Sequence, residues 1–405
     1  MAVNLSEPVE VYSIDGVKLA TASAGIRYQD RDDLVLIEID KKSNVAAVFT
    51  SNKFRAAPVN LSIKHLEQSS PRYLIINAGN ANAGTGQLGI DAARRTTQLV
   101  SEQMNVSPNQ VLPFSTGVIG EVLDVDKIKQ QLPTLTDSLS AQNWLIAAKA
   151  IMTTDTVSKA VSEKINLQGK DIHITGISKG SGMIQPNMAT MLAYIATDLG
   201  IQKQTLNDVI KTTVDQSFNA ITVDSDTSTN DSCVLIATGC SQLDYVDLSA
   251  NEKNQFLAAL TRVMQKLAQA IIRDGEGASK FVQVKIESAS DFELAKKVAY
   301  SVANSPLVKT ALSASDPNWG RIMAAAGKCE DQALDLSQAS LVINKVKIMG
   351  QGELDPNYTE EAGKSAMQDD EIEIVIQLNQ GTSMHTVWTT DLTHEYISIN
   401  ADYRS

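Results

Sequence analysis

The sequence predicts a mixed α/β or α+β protein in which sheets are covered by helices. Three observations carry this. Short apolar runs of strand length are interleaved with longer stretches at helical spacing. The run at residues 190–196 (TMLAYIA) is continuously apolar, as in a strand buried on both faces. Hydrophobic residues make up 43% of the chain and charged residues 20%, enough apolar surface for a packed core and too little charge for a disordered chain. At roughly 100–200 residues per domain, 405 residues correspond to about two to four domains.

Along the chain, residues 34–39 (LVLIEI) and 45–49 read as strands joined by a turn at 41–44. Residues 73–76 form a third apolar run, which ends in the loop NAGNANAGTG at 77–86. From 90 to 104, Ala92, Ala93, Thr96, Leu99, Val100 and Met104 fall on one helical stripe. Ile172 and Ile174 lead into a glycine-rich loop at 176–182, ahead of the apolar run at 190–196. Thr205 with Asp208 has the spacing of a capping box before Leu206, Val209, Ile210 and Val214. Residues 251–273 show the clearest helical face, with Phe256, Leu257, Leu260, Met264, Leu267 and Ile271, and Gly275 stops it. Ser290 with Glu293 suggests a second capping box before Leu294, Val298 and Val302. Residues 371–378 and 384–388 suggest a hairpin around Asn379, Gln380 and Gly381. Neither a repeat nor a low-complexity linker is visible.

Composition narrows the function. Lys and Arg total 35 against 47 Asp and Glu, a net charge of −12, which repels phosphate backbones and anionic lipid. Small charged substrates stay compatible, because a site can oppose the net sign. The three cysteines (Cys233, Cys240, Cys329) include no CxxC pair, so a zinc ribbon or dithiol redox motif is excluded, and they read as small buried hydrophobes. The N-terminus has neither the basic start nor the apolar segment of a signal peptide, and no apolar run approaches the ~18–20 residues of a membrane span. A soluble cytoplasmic protein is expected.

Several motifs fail on inspection. Gly84 to Gly89 matches G-x-G-x-x-G, but the acidic residue expected ~20 positions on is missing. A close-packed glycine turn is the plainer reading. Asp224, Asp226 and Asp231 suggest a hard-cation loop, yet the sixth position is Thr229 where an EF-hand needs glycine. Gly363-Lys364-Ser365 ends like a P-loop, but position 358 is Tyr. His65, His173, His385 and His394 show no metal-binding spacing.

One stretch stands apart, ISKGSGMIQPNMATML at 177–192. A Gly- and Pro-containing loop leads through the small residue Ala189 into Thr190, at the head of an apolar run. Backbone self-cleavage at a threonine needs this arrangement. The hydroxyl attacks the preceding carbonyl, an N→O acyl shift gives an ester, and water hydrolyses it. The new α-amine, with a reference pKa of about 7.7–8.0, then takes the hydroxyl proton of its own residue without any histidine.

This motif resembles the cleavage site of the ornithine acetyltransferase family (the glutamate N-acetyltransferases of arginine biosynthesis). The resemblance extends along nearly the whole chain, through TASAGIRYQDRDDLVLIEID, VFTSNKFRAAPV, NAGNANAGTG, PFSTGVIGE, IMTTDT, SFNAITVDSDTSTND, RDGEGASKF, SDPNWGRI and ISINADYRS. It implies an α+β layered sandwich of αββα type, cut between Ala189 and Thr190. The α chain would be residues 1–189, and the β chain residues 190–405 with a C-terminal αβ portion. It implies Thr190 as nucleophile and Thr116 with Gly117 as the oxyanion hole. The substrate-binding positions would be Thr153, Lys179, Thr190, Glu276, Asn400 and Ser405, with Thr154 as an alternative to Thr153. The expected reaction is ping-pong acetyl transfer from N2-acetylornithine to L-glutamate without metal or cofactor, and some members of the family also accept acetyl-CoA. Two α and two β chains are the expected assembly. A self-cleaving amidase or aminopeptidase of similar fold, which would pass the acyl group to water, is the enzymatic rival. A nucleotide-binding module built on Gly84 to Gly89 is the non-enzymatic one.

Overall fold

The computed structural model describes residues 2–185 and 191–402. The chain divides into two compact units, one of Glu7–Asn219 with Thr227–Ile271, the other of Met1–Ser6, Ala220–Asp226 and Ile272–Ser405.

In the first unit the strands are β1 (Val17–Ala22), β2 (Leu34–Ile39), β3 (Asn44–Phe49), β4 (Tyr73–Asn80), β5 (Val111–Val118), β6 (Lys159–Leu167), β7 (Lys170–Lys179) and β8 (Leu192–Thr197). After β9 (Ile221–Thr222), which belongs to the second unit, comes β10 (Ser232–Ala237). They form two sheets, β1-β2-β4-β5 and β3-β10-β8-β7-β6. Val35, Ile37, Leu74, Ile76 and Phe114 of one sheet meet Ile177, Leu192, Tyr194, Val234 and Ile236 of the other in a single buried core. Each inner strand contributes alternate side chains to this layer, as period-two geometry requires.

Helices cover the outer faces. On the first sheet, α2 (Gly86–Met104) and α3 (Val125–Asp137) bury Ala92, Leu99, Val100, Ile128 and Leu132 against Leu34, Leu36 and Ile75. α1 (Ala57–Gln68) is tied to β5 through Ser62 Oγ on the Pro113 carbonyl and His65 Nδ1 on that of Val111. The short α4 (Trp144–Ala150) packs into the core between the sheets. On the second sheet lie α5 (Lys203–Asp215) and α6 (Ala250–Arg273), where Leu267 sits over Gly176 and Ile271 over Gly180. The layering is αββα.

The second unit carries β9 and β11 (Phe281–Ala289), β12 (Ser340–Ile343), β13 (Val346–Gly350), β14 (Glu353–Leu354), β15 (Glu371–Gln377) and β16 (Ser383–Thr390). These form one sheet in the order β14-β13-β12-β15-β11-β16-β9. Its helices are α7 (Phe292–Ala303), α8 (Pro306–Ser313), α9 (Trp319–Gly327), α10 (Glu360–Ala366) and α11 (His394–Ala401). The core joins Val282, Val284, Ile374, Ile376 and Val387 of the sheet to Leu294, Val298 and Val302 of α7.

Four local expectations change. β15 and β16 are not a hairpin, because β11 lies between them, parallel to β15 and antiparallel to β16. The capping box at Thr205 does not form, since α5 starts at Lys203 and Thr205 is already inside it. At α7 the cap is Asp291, whose side chain accepts from the Leu294 amide, while Ser290 bonds to Asp291. Cys240 is exposed, so only Cys233 fits the buried role fully. Among the described residues no helix is long and apolar enough to cross a membrane.

Candidate acyl-transfer site

Lys179 ends β7, directly opposite Leu192, which opens β8. The two ends of the intervening stretch are therefore neighbours in the sheet. On its other side, β8 is held by β10, where the Ser232 amide donates to the Met191 carbonyl at 2.8 Å. Thr190 and Ala189 lie outside the described residues, as does Ser405.

The Lys179 ammonium donates to Thr153 Oγ1 at 2.9 Å and to Thr116 Oγ1 at 3.2 Å. Three of the expected site residues thus meet, two hydroxyls on one cation. Thr154 points elsewhere, with its hydroxyl 2.6 Å from Ser181 Oγ, so the geometry favours Thr153 over Thr154 as the group beside Lys179. Gly117 follows Thr116 at φ +131, where a side chain is strained. A β-carbon there would lie 2.2 Å from the Gly79 carbonyl carbon, so the backbones of β4 and β5 touch at these two glycines.

Asp155 sits beneath this group and is missing from the expected set. Its Oδ1 accepts from Lys159 Nζ and from the Gly180 amide, both at 2.7 Å, and its Oδ2 from the Thr153 amide at 3.0 Å. Burial alone would push its carboxyl up. The charges of Lys159 and Lys179, with the hydrogen bonds from Lys159 and Gly180, instead hold it well below the usual carboxylate range. It fixes Thr153 and the start of the loop after Lys179 together. The signal in the sequence was an acid in IMTTDT four residues before a lysine, which reads equally well as a surface pair.

The pair predicts a measurable effect. Both side chains are fully buried, so Asp155→Asn leaves an uncompensated lysine and is expected to cost about 3–5 kcal/mol of unfolding free energy. A carboxyl whose folded pKa lies below its unfolded value stabilises the fold above that unfolded value, and the contribution fades as pH falls towards the folded one. Urea titrations should therefore show the wild-type advantage in full above about pH 4 and shrinking below it.

Asp231, just before β10, is buried with no hydrogen-bond partner on Oδ2 among the described residues. Burial pushes its carboxyl well above the ordinary range, against a hydrogen bond from Ser228 and the charge of Lys179. Among the described residues no group of three or more His, Cys, Asp or Glu could hold a metal.

In the second unit, Asn400 Nδ2 donates to Glu276 Oε2 at 2.8 Å. Glu276 is 8% exposed although it follows the end of α6. Asn400 lies on α11, which docks on the loop through Thr393 Oγ1 on the Gly277 carbonyl. Gly277, at φ +70, allows this approach: a β-carbon would lie 2.5 Å from the Tyr396 amide. Tyr396 donates to Asp224 at 3.2 Å. Burial and then the neighbouring charge of Asp224 raise its phenol above the usual range, so it stays a donor.

A double-sheet αββα core, with a cation held by two hydroxyls beside the start of β8, is the frame of an acyl-transferring enzyme. The chain belongs to the ArgJ family, whose profile matches residues 18–405. It is similar to the arginine biosynthesis bifunctional protein ArgJ of Psychrobacter arcticus, 50% identical over the full length of both chains. It is 48% identical, again over both full lengths, to the protein of the same name from Pseudomonas fluorescens. Among solved structures, the bifunctional ArgJ of Bacillus halodurans is 33% identical over 52% of this chain and 98% of that one, with a TM-score of 0.49. An ornithine acetyltransferase from Mycobacterium tuberculosis, solved with ornithine, is 29% identical over 44% of this chain and 94% of that one, with a TM-score of 0.38.

Proposed function

We propose that this chain cuts itself between Ala189 and Thr190 and then moves acetyl from N2-acetyl-L-ornithine to L-glutamate, with acetyl-CoA as a second donor. The observation that carries the reading is that β8, which opens at Leu192, starts beside Lys179, whose ammonium reaches Thr153 and Thr116. The naming of the full-length relatives as bifunctional arginine-biosynthesis proteins supports both donors.

The chemistry follows from residue types. The hydroxyl of Thr190 attacks the acetyl carbonyl while its own α-amine takes the proton. The oxyanion forms near Thr116 and Gly117, and losing one donor of such a hole typically costs about 10²–10³ in rate. The amine proton then passes to the departing nitrogen of ornithine, which leaves an acetyl ester on Thr190. The amine of glutamate attacks that ester, loses its proton to the Thr190 amine, and restores the free hydroxyl. Lys179 with Thr153 suits the α-carboxylate common to both amino acids. Glu276 with Asn400 suits the ornithine ammonium, and Ser405 completes the binding set. The mature enzyme is an assembly of two α and two β chains in the cytoplasm, expected near 87 kDa, twice the 43.6 kDa chain.

The test follows the acetyl group. With ¹³C-acetyl-labelled acetylornithine, label should appear in N-acetylglutamate and only when glutamate is present. Label released as acetate at the same rate with or without glutamate would replace the transferase by the amidase reading.

A further inference from the structure

The peptide that links Ser115 to Thr116 is clamped from outside its own strand. Asn230, 6% exposed and one residue before Asp231, donates its side-chain amide to the Ser115 carbonyl at 2.9 Å and to the Ala81 carbonyl at 2.6 Å. Its own Oδ1 accepts from Thr229 Oγ1 at 2.5 Å. From the other side the Ser115 hydroxyl donates to Asn77 Oδ1 at 2.6 Å, and Asn77 Nδ2 donates to the Asn80 carbonyl at 2.8 Å. Asn80 Oδ1 accepts from the Asn82 amide at 2.7 Å, and Asn82 Nδ2 holds the Gly89 carbonyl at 3.0 Å. Asn77, Asn80 and Asn82 are buried as well.

A planar peptide ties the Ser115 carbonyl rigidly to the Thr116 N–H, which points the opposite way. Whatever fixes that carbonyl therefore fixes the plane of the peptide that leads into Thr116 and Gly117. β4 and β5 pair in regular parallel register through Asn77 and Ser115, Ala78 and Thr116, and Gly79 and Gly117, and the register shifts between Gly79 and Asn80, so the asparagine side chains hold the backbone where the ladder gives out. We infer that Asn230, Asn77, Asn80 and Asn82 are positioning residues that aim the oxyanion donors at Thr116 and Gly117, with Asn230 as the anchor. This rests on the proposed acetyl transfer. It adds a set of groups that touch no substrate and act through the Ser115–Thr116 peptide.

The alternative is that these amides merely satisfy buried backbone groups, as most buried polar side chains do. Turnover per competent site separates the two. Competent sites are counted by mass spectrometry as the β chains that become acetylated when acetylornithine is supplied without glutamate. Asn230→Ala is expected to keep the KM for acetylornithine within about threefold while turnover per site falls about 10²-fold, the scale of a misplacement near 1 Å. Ser115→Ala, which removes only a hydroxyl, is expected to show the same pattern at about tenfold, and it decides the matter alone if Asn230→Ala does not fold or mature. Wild-type turnover per site in Ser115→Ala, with only fewer sites or a lower melting temperature, would overturn the inference. So would an equal change in kcat and KM. A wild-type protein that never becomes acetylated would instead sink the transfer reaction itself.

Discussion

Replacing Thr190 by alanine is expected to leave one band near 43.6 kDa on a denaturing gel and to abolish acetyl transfer. The wild type should instead run as two bands near 20 and 23 kDa, in proportion to the 189 and 216 residues on either side of the cut. Both losses trace to one hydroxyl. Before the cut it is the only group of that residue able to attack the Ala189 carbonyl, and after it the same oxygen carries the acetyl group. Alanine removes the nucleophile in both roles, and the α-amine that would serve as base never forms. Thr190→Ser keeps the hydroxyl and should keep part of each activity. Two bands from Thr190→Ala would show that another group makes the cut.

Gly117→Ala should have the next largest effect. The new methyl would lie 2.2, 2.5 and 2.6 Å from Gly79 C, Gly79 O and Asn80 N, all backbone atoms. No rotamer change relieves such a clash, so β4 and β5 must move apart where they carry the Asn77, Asn80 and Ser115 contacts. With φ at +131 the residue is also strained on its own account. We expect turnover to fall by at least about 10², and the melting temperature to fall with it. Gly169→Ala is the control, since that glycine also has positive φ (+78) but nothing within 4 Å of the added carbon. It should lose about 1–2 kcal/mol of stability and leave turnover unchanged. Equal damage from both variants would mean that backbone strain, not the contact with Gly79, controls the site.

The elements that follow from apolar periodicity were the ones legible in the sequence. β2 has the predicted bounds, and α6 differs from its predicted range by one residue. The errors arise where polar residues hold regular backbone. β4 runs on from Ile76 through Asn77, Ala78, Gly79 and Asn80, a stretch that reads as loop by propensity. It stays extended because β5 lies in register beside it and buried asparagine side chains bond its backbone. β7 likewise continues through Gly176 to Lys179, because β6 and β8 pair with it on both sides. The insertion of β11 between β15 and β16 is a long-range pairing that adjacency in sequence argues against.

Much the same division holds for the site. Lys179, Thr116 and Thr153 were reached through family resemblance, and the structure brings them together. Asp155 and Asn230 were not reached. Each acts on backbone amides or carbonyls whose position depends on tertiary pairing, and no spacing rule encodes that.

The five-stranded sheet has a consequence for the proposed cut between Ala189 and Thr190. In the order β3-β10-β8-β7-β6, strands β3, β7 and β6 come before Ala189 and β8 and β10 come after it. The two pieces of a chain cut there would be laced through one sheet and could not drift apart without unravelling it. Folding of the intact precursor is a unimolecular event. Once severed and denatured, the same pieces must find each other by diffusion, so renaturation becomes second order in concentration and competes with aggregation. On the proposed cleavage, maturation is a ratchet, and what would protect the cut enzyme is the slowness with which that shared sheet opens.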